Sequence, residues 1–152
     1  MKILFLDIDG VLNSAFVLAE QRRGDAIDRD MVERINRIVD STGCFIVISS
    51  AWRLYASFDS LVALLSSHGL RNVVIDITPR LDPSDYNRGD EIKAWMYDMN
   101  PSITNFAIID DFGDPLSDFR DHLVLTTWAK GTEDSHVEQA INLLNGEQHV
   151  AR

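Results

Sequence analysis

The sequence is poor in cysteine and proline and has no long hydrophobic run. Its 152 residues include one cysteine and four prolines, so a framework of intrachain disulfides is excluded. A helix that spans a bilayer needs about 20 consecutive apolar residues, and no apolar stretch here approaches that length. Cys44 lies inside the apolar segment CFIVI, which predicts a small buried side chain. We therefore expect a cytoplasmic protein that does not enter the membrane.

Basic residues are also scarce. The 14 lysines and arginines are outnumbered by 24 aspartates and glutamates, which gives a net charge of −10. Non-specific affinity for nucleic acids comes mainly from basic side chains that meet phosphates, so general nucleic-acid binding is not expected. A local basic patch could still bind one phosphate. The four histidines, at positions 68, 122, 136 and 149, lack the spacing of metal ligands, so no zinc site is predicted.

Short apolar segments alternate with amphipathic segments along the chain, without repeats or low-complexity stretches. The predicted strands cover about 2–7, 44–49, 72–76, 105–110 and 122–126, and the predicted helices about 29–41, 58–68, 89–99 and 133–145. Asp28 and Gly43 are the expected caps of the first of these helices. Apolar strands that alternate with helices are typical of a parallel sheet buried on both faces. The pattern predicts an α/β fold with a doubly wound, mostly parallel, five-stranded Rossmann-like sheet over 1–145, followed by a frayed tail at 146–152.

Polar side chains follow three of the predicted strands at the point where each strand ends. They are Asp7 and Asp9, Ser49 and Ser50, and Asp110 and Asp111. Parallel sheets bind ligands at the carboxyl ends of their strands, so we expect these side chains to share one edge of the sheet. Neighbouring carboxylates repel one another unless a cation lies between them, and oxygen ligands without sulfur or imidazole suit Mg²⁺. The last aspartate pair alone would be explained better as a turn or helix cap. Its coincidence with two other polar strand ends favours a metal site.

The residues at these strand ends resemble the four motifs of the haloacid dehalogenase (HAD) superfamily. DIDGV is similar to the nucleophile motif DxDx[TV], FIVISS to the second motif, RGDEI to the third and FAIIDD to the fourth. The four segments occur in the family's order and extend over residues 3–111. The combination of LDIDGVLN, VISSAWR, RGDEIKAWM and IIDD more closely resembles the small HAD domain associated with Swiss-Army-Knife RNA repair proteins.

The resemblance implies a phosphatase that forms an aspartyl-phosphate intermediate. Asp7 would be the nucleophile, and Asp9 would first protonate the leaving oxygen and then activate the attacking water. Ser49 would donate a hydrogen bond to the phosphoryl group, and Arg88 would neutralise the charge of that group. Further candidates for substrate binding are Gly10, Ser50, Arg53, Arg22, Arg23, Arg80 and Lys93.

The resemblance also implies a Mg²⁺ site. Its ligands would be the Asp7 carboxylate, the backbone carbonyl of Asp9 and a carboxylate of the Asp110–Asp111 pair. Asp111 is the expected direct ligand, with Asp110 supporting it, although the reverse assignment stays open. Lys93, about one helical turn further along, is the alternative to the arginine of RGDEI as the basic residue of the third motif.

In this superfamily an inserted cap domain often closes over the site. Here residues 13–27 leave room only for a flap, and residues 51–87 are used by one helix, one strand and a loop. The sequence therefore predicts no cap domain and an open site, which suits a phosphate on a bulky substrate. The arginines named above could rim this site, or could pair instead with neighbouring aspartates such as Asp25, Asp82 and Asp85.

These features favour a metal-dependent phosphomonoesterase that acts on a polynucleotide 3′ end, with Trp52, Tyr55 and Tyr86 as stacking faces for a terminal base. The alternative substrate is a nucleotide or a sugar phosphate. A non-catalytic HAD module that only binds phosphate is a further alternative, although the sequence retains every acidic motif residue. A phosphorelay receiver domain is set aside, because it carries its acidic pair after the first strand and its phosphate acceptor after the third. The oligomeric state stays open.

Overall fold

The computed structural model describes residues 1–21, 26–85, 87–99 and 102–147. Within these ranges the strands are β1 (Lys2–Leu6), β2 (Phe45–Ile48), β3 (Val74–Ile77), β4 (Asn105–Asp110) and β5 (Leu123–Leu125). They form a parallel five-stranded sheet in the order β3-β2-β1-β4-β5. The predicted five-stranded parallel sheet is confirmed, and each strand lies within three residues of its predicted position.

The register of the sheet brings three strand ends to the same level. Leu6 of β1 lies opposite Ile48 of β2 and Ile109 of β4. The ladder continues for one more residue on each side, because the Ser49 amide donates to the Leu6 carbonyl at 3.0 Å and the Asp7 amide to the Ile109 carbonyl at 3.1 Å. The residues that follow β1, β2 and β4 therefore emerge at one edge of the sheet.

The described helices are α1 (Ala15–Gln21), α2 (Arg29–Thr42), α3 (Phe58–Ser67), α4 (Arg88–Met99) and α5 (Asp134–Leu144). The caps of α2 agree with the sequence: the Asp28 side chain accepts two amide hydrogen bonds, and Gly43 takes the left-handed conformation with φ 68°. Helix α1 lies in the region where only a flap was expected. Two 3-10 segments, Ala51–Leu54 and Asp114–His122, were not predicted either.

Helices cover both faces of the sheet. Successive residues of a strand point to opposite faces, so each central strand contributes to two cores. Leu4 and Leu6 of β1 belong to the larger core, to which α2, α3 and α5 contribute. Ile3 and Phe5 belong to the smaller core beneath α4, where Phe5 meets Trp95 edge to face with ring centroids 5.5 Å apart. The doubly covered sheet confirms the Rossmann-like α/β fold class. Its buried central strand gives a rigid base to the loop that follows it.

The described segments between the strands contain no additional domain. Helices α1 and α2 lie between β1 and β2, and the 3-10 segment Ala51–Leu54 and α3 lie between β2 and β3. No helix in the described ranges is both long and apolar enough to cross a bilayer. Cys44 is buried, as expected. The predicted tail is described only as far as Glu147, and the rest of it lies outside the described residues.

Candidate active site

Three carboxylates meet at the edge of the sheet where β1 and β4 end. Asp7, Asp110 and Asp111 each place one carboxylate oxygen within 4.8 Å of the others. Asp7 and Asp110 are almost completely buried, whereas Asp111 is partly exposed. Since β1 and β4 are neighbours in register, the sheet itself brings together residues that are about 100 positions apart in the sequence. We call these three residues the acidic cluster.

Arg88 is a basic residue that contacts the acidic cluster. It begins α4, and its Nη1 atom lies 3.1 Å from Oδ2 of Asp7 and 2.5 Å from Oδ2 of Asp110. Burial alone would lower the pKa of Arg88, but the charges of Asp7 and Asp110 outweigh burial and raise it. The guanidinium therefore stays protonated. Its single positive charge faces three carboxylates, which leaves an excess of negative charge at the cluster.

Burial and, to a smaller extent, the excess negative charge change the ionisation of the cluster. Burial raises the pKa of Asp7 to about 7, with a further contribution from the charge of Asp110 and a partial offset by Arg88. Burial and the charge of Asp110 also raise the pKa of Asp111. A bound divalent cation would favour the ionised form of both groups. A buried set of oxygen donors with unbalanced negative charge fits a hard divalent cation, and the acidic cluster could bind one.

Gly10 allows the loop after β1 to approach the acidic cluster closely. Its φ is 73°, and a Cβ atom at this position would lie 2.4 Å from Oδ2 of Asp111. Both requirements favour glycine, because other residues rarely adopt positive φ and would collide with the carboxylate. The Gly10 carbonyl accepts a hydrogen bond of 2.6 Å from the hydroxyl of Thr126, which follows β5. The loop is thereby tied to the neighbouring strand ends.

The side chain of Asp9 lies outside the acidic cluster and has its own hydrogen-bond partners. Its Oδ1 atom accepts from Nδ2 of Asn13, and its Oδ2 atom accepts from Nε1 of Trp52, both at 2.9 Å. Asn13 belongs to the same loop, whereas Trp52 belongs to the 3-10 segment after β2. The two loops that carry the first and second motifs are therefore joined at this carboxylate. Neither contact was predicted from the sequence.

The two serines after β2 have different environments. The Ser50 hydroxyl accepts from the Trp52 amide at 3.2 Å and so caps the 3-10 segment. The Ser49 hydroxyl is buried and has no hydrogen-bond partner among the described residues. The hydroxyl of Thr78, the residue directly after the neighbouring strand β3, is also buried without a hydrogen-bond partner among the described residues. Since buried hydroxyls normally find partners, both serve as candidates for contacts with a ligand. Thr78 was missed, although it follows a strand as Ser49 does.

Arg53, expected at the substrate rim, lies in a buried ion pair instead. Its Nη2 atom donates to the Glu91 carboxylate on α4, and its side chain is only 5% exposed. The Nη1 and Nε atoms donate to the carbonyls of Ser50 at 2.8 Å and Thr78 at 3.1 Å. Arg53 therefore joins the second-motif loop to the helix that begins with Arg88.

The remaining predicted site residues are distributed more widely. Lys93 donates to Asp118 at 2.5 Å, so the structure does not bring it to the acidic cluster. Arg80 is exposed and lines a cleft of about 400 Å³ beside β3. Tyr55 is 88% exposed, as a stacking residue requires. Arg22, Arg23 and Tyr86 lie outside the described residues.

Comparison with known proteins assigns this chain to a family. The chain matches a family model described as "HAD domain in Swiss Army Knife RNA repair proteins" over residues 3–137. No curated protein and no solved structure matches it. The match includes each of the strand ends that form the site. The chain therefore belongs to the family of HAD domains in Swiss Army Knife RNA repair proteins, which suggests a hydrolase of the phosphatase type.

Proposed function

We propose that this protein is a Mg²⁺-dependent phosphomonoesterase that forms an aspartyl-phosphate intermediate on Asp7. The observation that carries the proposal is the acidic cluster at the carboxyl ends of β1 and β4, with Arg88 bound to two of its members. Membership of the HAD family supports the same chemistry. The excess negative charge of the cluster supports the use of a divalent cation.

The carboxylates of Asp7 and Asp111 and the backbone carbonyl of Asp9 would hold the cation. The contacts of Asp110 favour a supporting role over direct binding of the cation. Its Oδ1 atom accepts from the Phe112 amide at 2.9 Å, and its Oδ2 atom accepts from Arg88. Asp110 would therefore orient Arg88 and the chain rather than act as the main ligand. When bound, Mg²⁺ would supply positive charge to the cluster and to the phosphoryl group.

Hydrolysis then proceeds in two steps. In the first, a carboxylate oxygen of Asp7 forms a bond to phosphorus while the bond to the leaving oxygen breaks, and the leaving oxygen takes a proton from Asp9. In the second, water attacks phosphorus and gives a proton to Asp9, while the bond between phosphorus and Asp7 breaks. The products are the free alcohol and inorganic phosphate, and both carboxyl groups return to their starting states.

Ser49 and Arg88 would bind the phosphoryl oxygens during these steps. The buried hydroxyl of Ser49 is free to donate, since no described residue accepts from it. The Arg88 guanidinium has five N–H donors on three nitrogen atoms. Its Nη1 atom contacts the acidic cluster, and the N–H groups of the other two nitrogens could contact the phosphoryl group. Preorganised donors of this kind stabilise the charge that develops in phosphoryl transfer.

The first experiment tests the chemistry with an aryl phosphate. We expect the purified protein to release phosphate in the presence of Mg²⁺ and to lose this activity on chelation or on Asp7→Asn substitution. Asp118→Asn is the matched control, because Asp118 is an exposed carboxylate that contacts Lys93 and not the acidic cluster. Activity that survives Asp7→Asn would overturn the mechanism. Phosphate binding without turnover would favour the non-catalytic module.

We further propose that the substrate is a polynucleotide with a 3′ phosphate. Three features support a bulky substrate: the lack of a cap in the described segments, the exposed ring of Tyr55 and the association of the family with RNA repair proteins. The experiment compares kcat/KM for oligonucleotides with 3′ or 5′ phosphates, for mononucleotides and for sugar phosphates. We expect the 3′-phosphorylated oligonucleotide to give the highest value. A preference for the small molecules would favour a metabolite phosphatase.

A further inference from the structure

We infer that Trp52 and Asn13 are positioning residues that hold the carboxylate of Asp9 in the orientation needed for proton transfer. The inference rests on the proposed function, in which Asp9 exchanges a proton with the leaving oxygen and then with water. Each oxygen of this carboxylate accepts one N–H donor, from Trp52 on one side and Asn13 on the other, both at 2.9 Å. Rotation of the carboxylate would break both hydrogen bonds.

The two donors are themselves held in place. Asn13 is completely buried, its Oδ1 atom accepts from the Gly10 amide at 2.9 Å, and its Nδ2 atom also donates to the Ala26 carbonyl at 3.2 Å. The Trp52 amide donates to the Ser50 hydroxyl, and its ring packs against the larger core. Asp9 is therefore fixed by groups that have little freedom to move, which is the arrangement that preorganised catalysis requires.

Asp9 lies two residues after Asp7 of the acidic cluster, so the orientation of its carboxylate determines whether it could reach a bound cation. A carboxylate that was free to rotate could turn towards the cation and bind it as a further ligand. A carboxylate bound to the cation would be a poor proton donor and acceptor. Each oxygen of a carboxylate has two lone pairs, so Asp9 can keep both hydrogen bonds and still take up a proton.

The indole of Trp52 can be tested by removing only its N–H group. Trp52→Phe retains an aromatic ring, and the matched control is Trp95→Phe, since Trp95 Nε1 donates in the same way to Asp76 at 2.8 Å but lies on α4 in the smaller core. The substrates are an alkyl phosphate, whose leaving oxygen needs a proton, and 4-nitrophenyl phosphate, whose leaving group departs without one.

For Trp52→Phe we expect kcat/KM for the alkyl phosphate to fall about tenfold, which is part of the roughly 10²–10⁴-fold that general acid–base catalysis contributes. This ratio reports only the steps up to release of the leaving group, so it excludes the second step, in which Asp9 would accept a proton from water with either substrate. The kcat/KM for 4-nitrophenyl phosphate should fall less than about twofold, because that leaving group does not depend on the proton. Trp95→Phe should affect the two substrates equally. An equal effect of Trp52→Phe on the two values of kcat/KM would overturn the positioning role while leaving the proposed function intact.

A spectroscopic measurement tests the contact without relying on activity. The chain has three tryptophans, so its indole N–H groups give three signals in a ¹H–¹⁵N spectrum, and Trp52→Phe identifies the signal of Trp52. Asp9→Asn, which replaces the charged acceptor with a neutral one, should move that signal upfield and leave those of Trp95 and Trp128 in place. A Trp52 signal that does not respond to Asp9→Asn would overturn the inference. A wild-type protein that cleaves neither substrate would overturn the proposed function, and this role with it.

Discussion

Substitution of Asp7 by asparagine should stabilise the metal-free protein while it abolishes hydrolysis. Asp7 is 3% exposed and lies beside Asp110 in the acidic cluster. Its pKa rises from 3.8 to about 7, mainly because burial penalises the charged form. Since one pKa unit corresponds to about 1.4 kcal/mol, ionising Asp7 costs about 4 kcal/mol more in the folded protein than in the unfolded chain.

The direction of the pKa shift of Asp7 determines how the free energy of unfolding depends on pH. Folding raises the pKa of Asp7, so folding favours the protonated form. The contribution of Asp7 to the free energy of unfolding is therefore complete below pH 4, falls as the pH rises towards 7 and stays low above pH 7. A neutral asparagine cannot lose this contribution. The advantage of the variant should consequently appear at pH 8 and vanish at pH 5.

The expected gain is smaller than the full ionisation cost. The attraction of Arg88 is already included in the pKa of about 7 for Asp7. Asparagine can still accept the hydrogen bond of 2.8 Å from the Ile8 amide, but its NH2 group cannot accept the hydrogen bond of 3.1 Å that Arg88 donates to Oδ2 of Asp7. Arg88 keeps its contact with Asp110. We therefore expect the variant to gain about 2 kcal/mol at pH 8, which corresponds to a rise of about 4–8 °C in Tm for a domain of this size.

Thermal unfolding followed by circular dichroism, at pH 5 and pH 8 and with EDTA or Mg²⁺, would measure these effects. The Tm of the wild-type protein should rise on addition of Mg²⁺ at pH 8, because the cation relieves the repulsion within the acidic cluster. The Asp7→Asn variant should gain less, since it has lost a ligand. Asp118→Asn is again the control and should respond to Mg²⁺ as the wild type does. A variant no more stable than the wild type at pH 8 in EDTA would refute the reasoning, as would an equal gain at both pH values.

Four further substitutions test other contacts at this edge of the sheet. Gly10→Ala should destabilise the fold by more than about 1 kcal/mol and weaken Mg²⁺ binding, seen as a smaller Mg²⁺-induced rise in Tm, because its Cβ atom would collide with the acidic cluster; an unchanged response would contradict the close approach. Glu91→Gln should destabilise the protein by about 3 kcal/mol in urea unfolding, since it leaves the buried charge of Arg53 without its ionic partner. A loss of stability below about 0.5 kcal/mol would contradict this, because it would mean that the Arg53–Glu91 pair contributes no more than an exposed ion pair does. Ser49→Ala should raise KM for an aryl phosphate without loss of stability, because its hydroxyl has no partner among the described residues, whereas Ser50→Ala should lower stability by about 1 kcal/mol through loss of a cap. The opposite pattern would exchange their roles.

The sequence by itself determined the sheet and the place of its acidic residues. Apolar segments of strand length, separated by helical patterns, are local properties, and parallel α/β folds bring strand ends to one edge. Asp7, Asp110 and Asp111 could therefore be assigned to one site without coordinates, and the structure places their carboxylates together. The caps of α2 were also predictable, because Asp28 and Gly43 act on neighbouring residues of the same helix.

Only the tertiary structure decided which partners the other polar groups near the site have. Helix α1 has seven residues, too few to be stable alone, and it is held by contacts such as the hydrogen bond of 2.8 Å from the Ala15 amide to the Trp128 carbonyl. The pairing of Trp52 with Asp9 joins residues 43 positions apart, and that of Arg53 with Glu91 joins residues 38 apart. Such partners depend on strand register and on the packing of loops. Neither is encoded in the residue types near each position, since an arginine or a tryptophan after a strand is compatible with many environments.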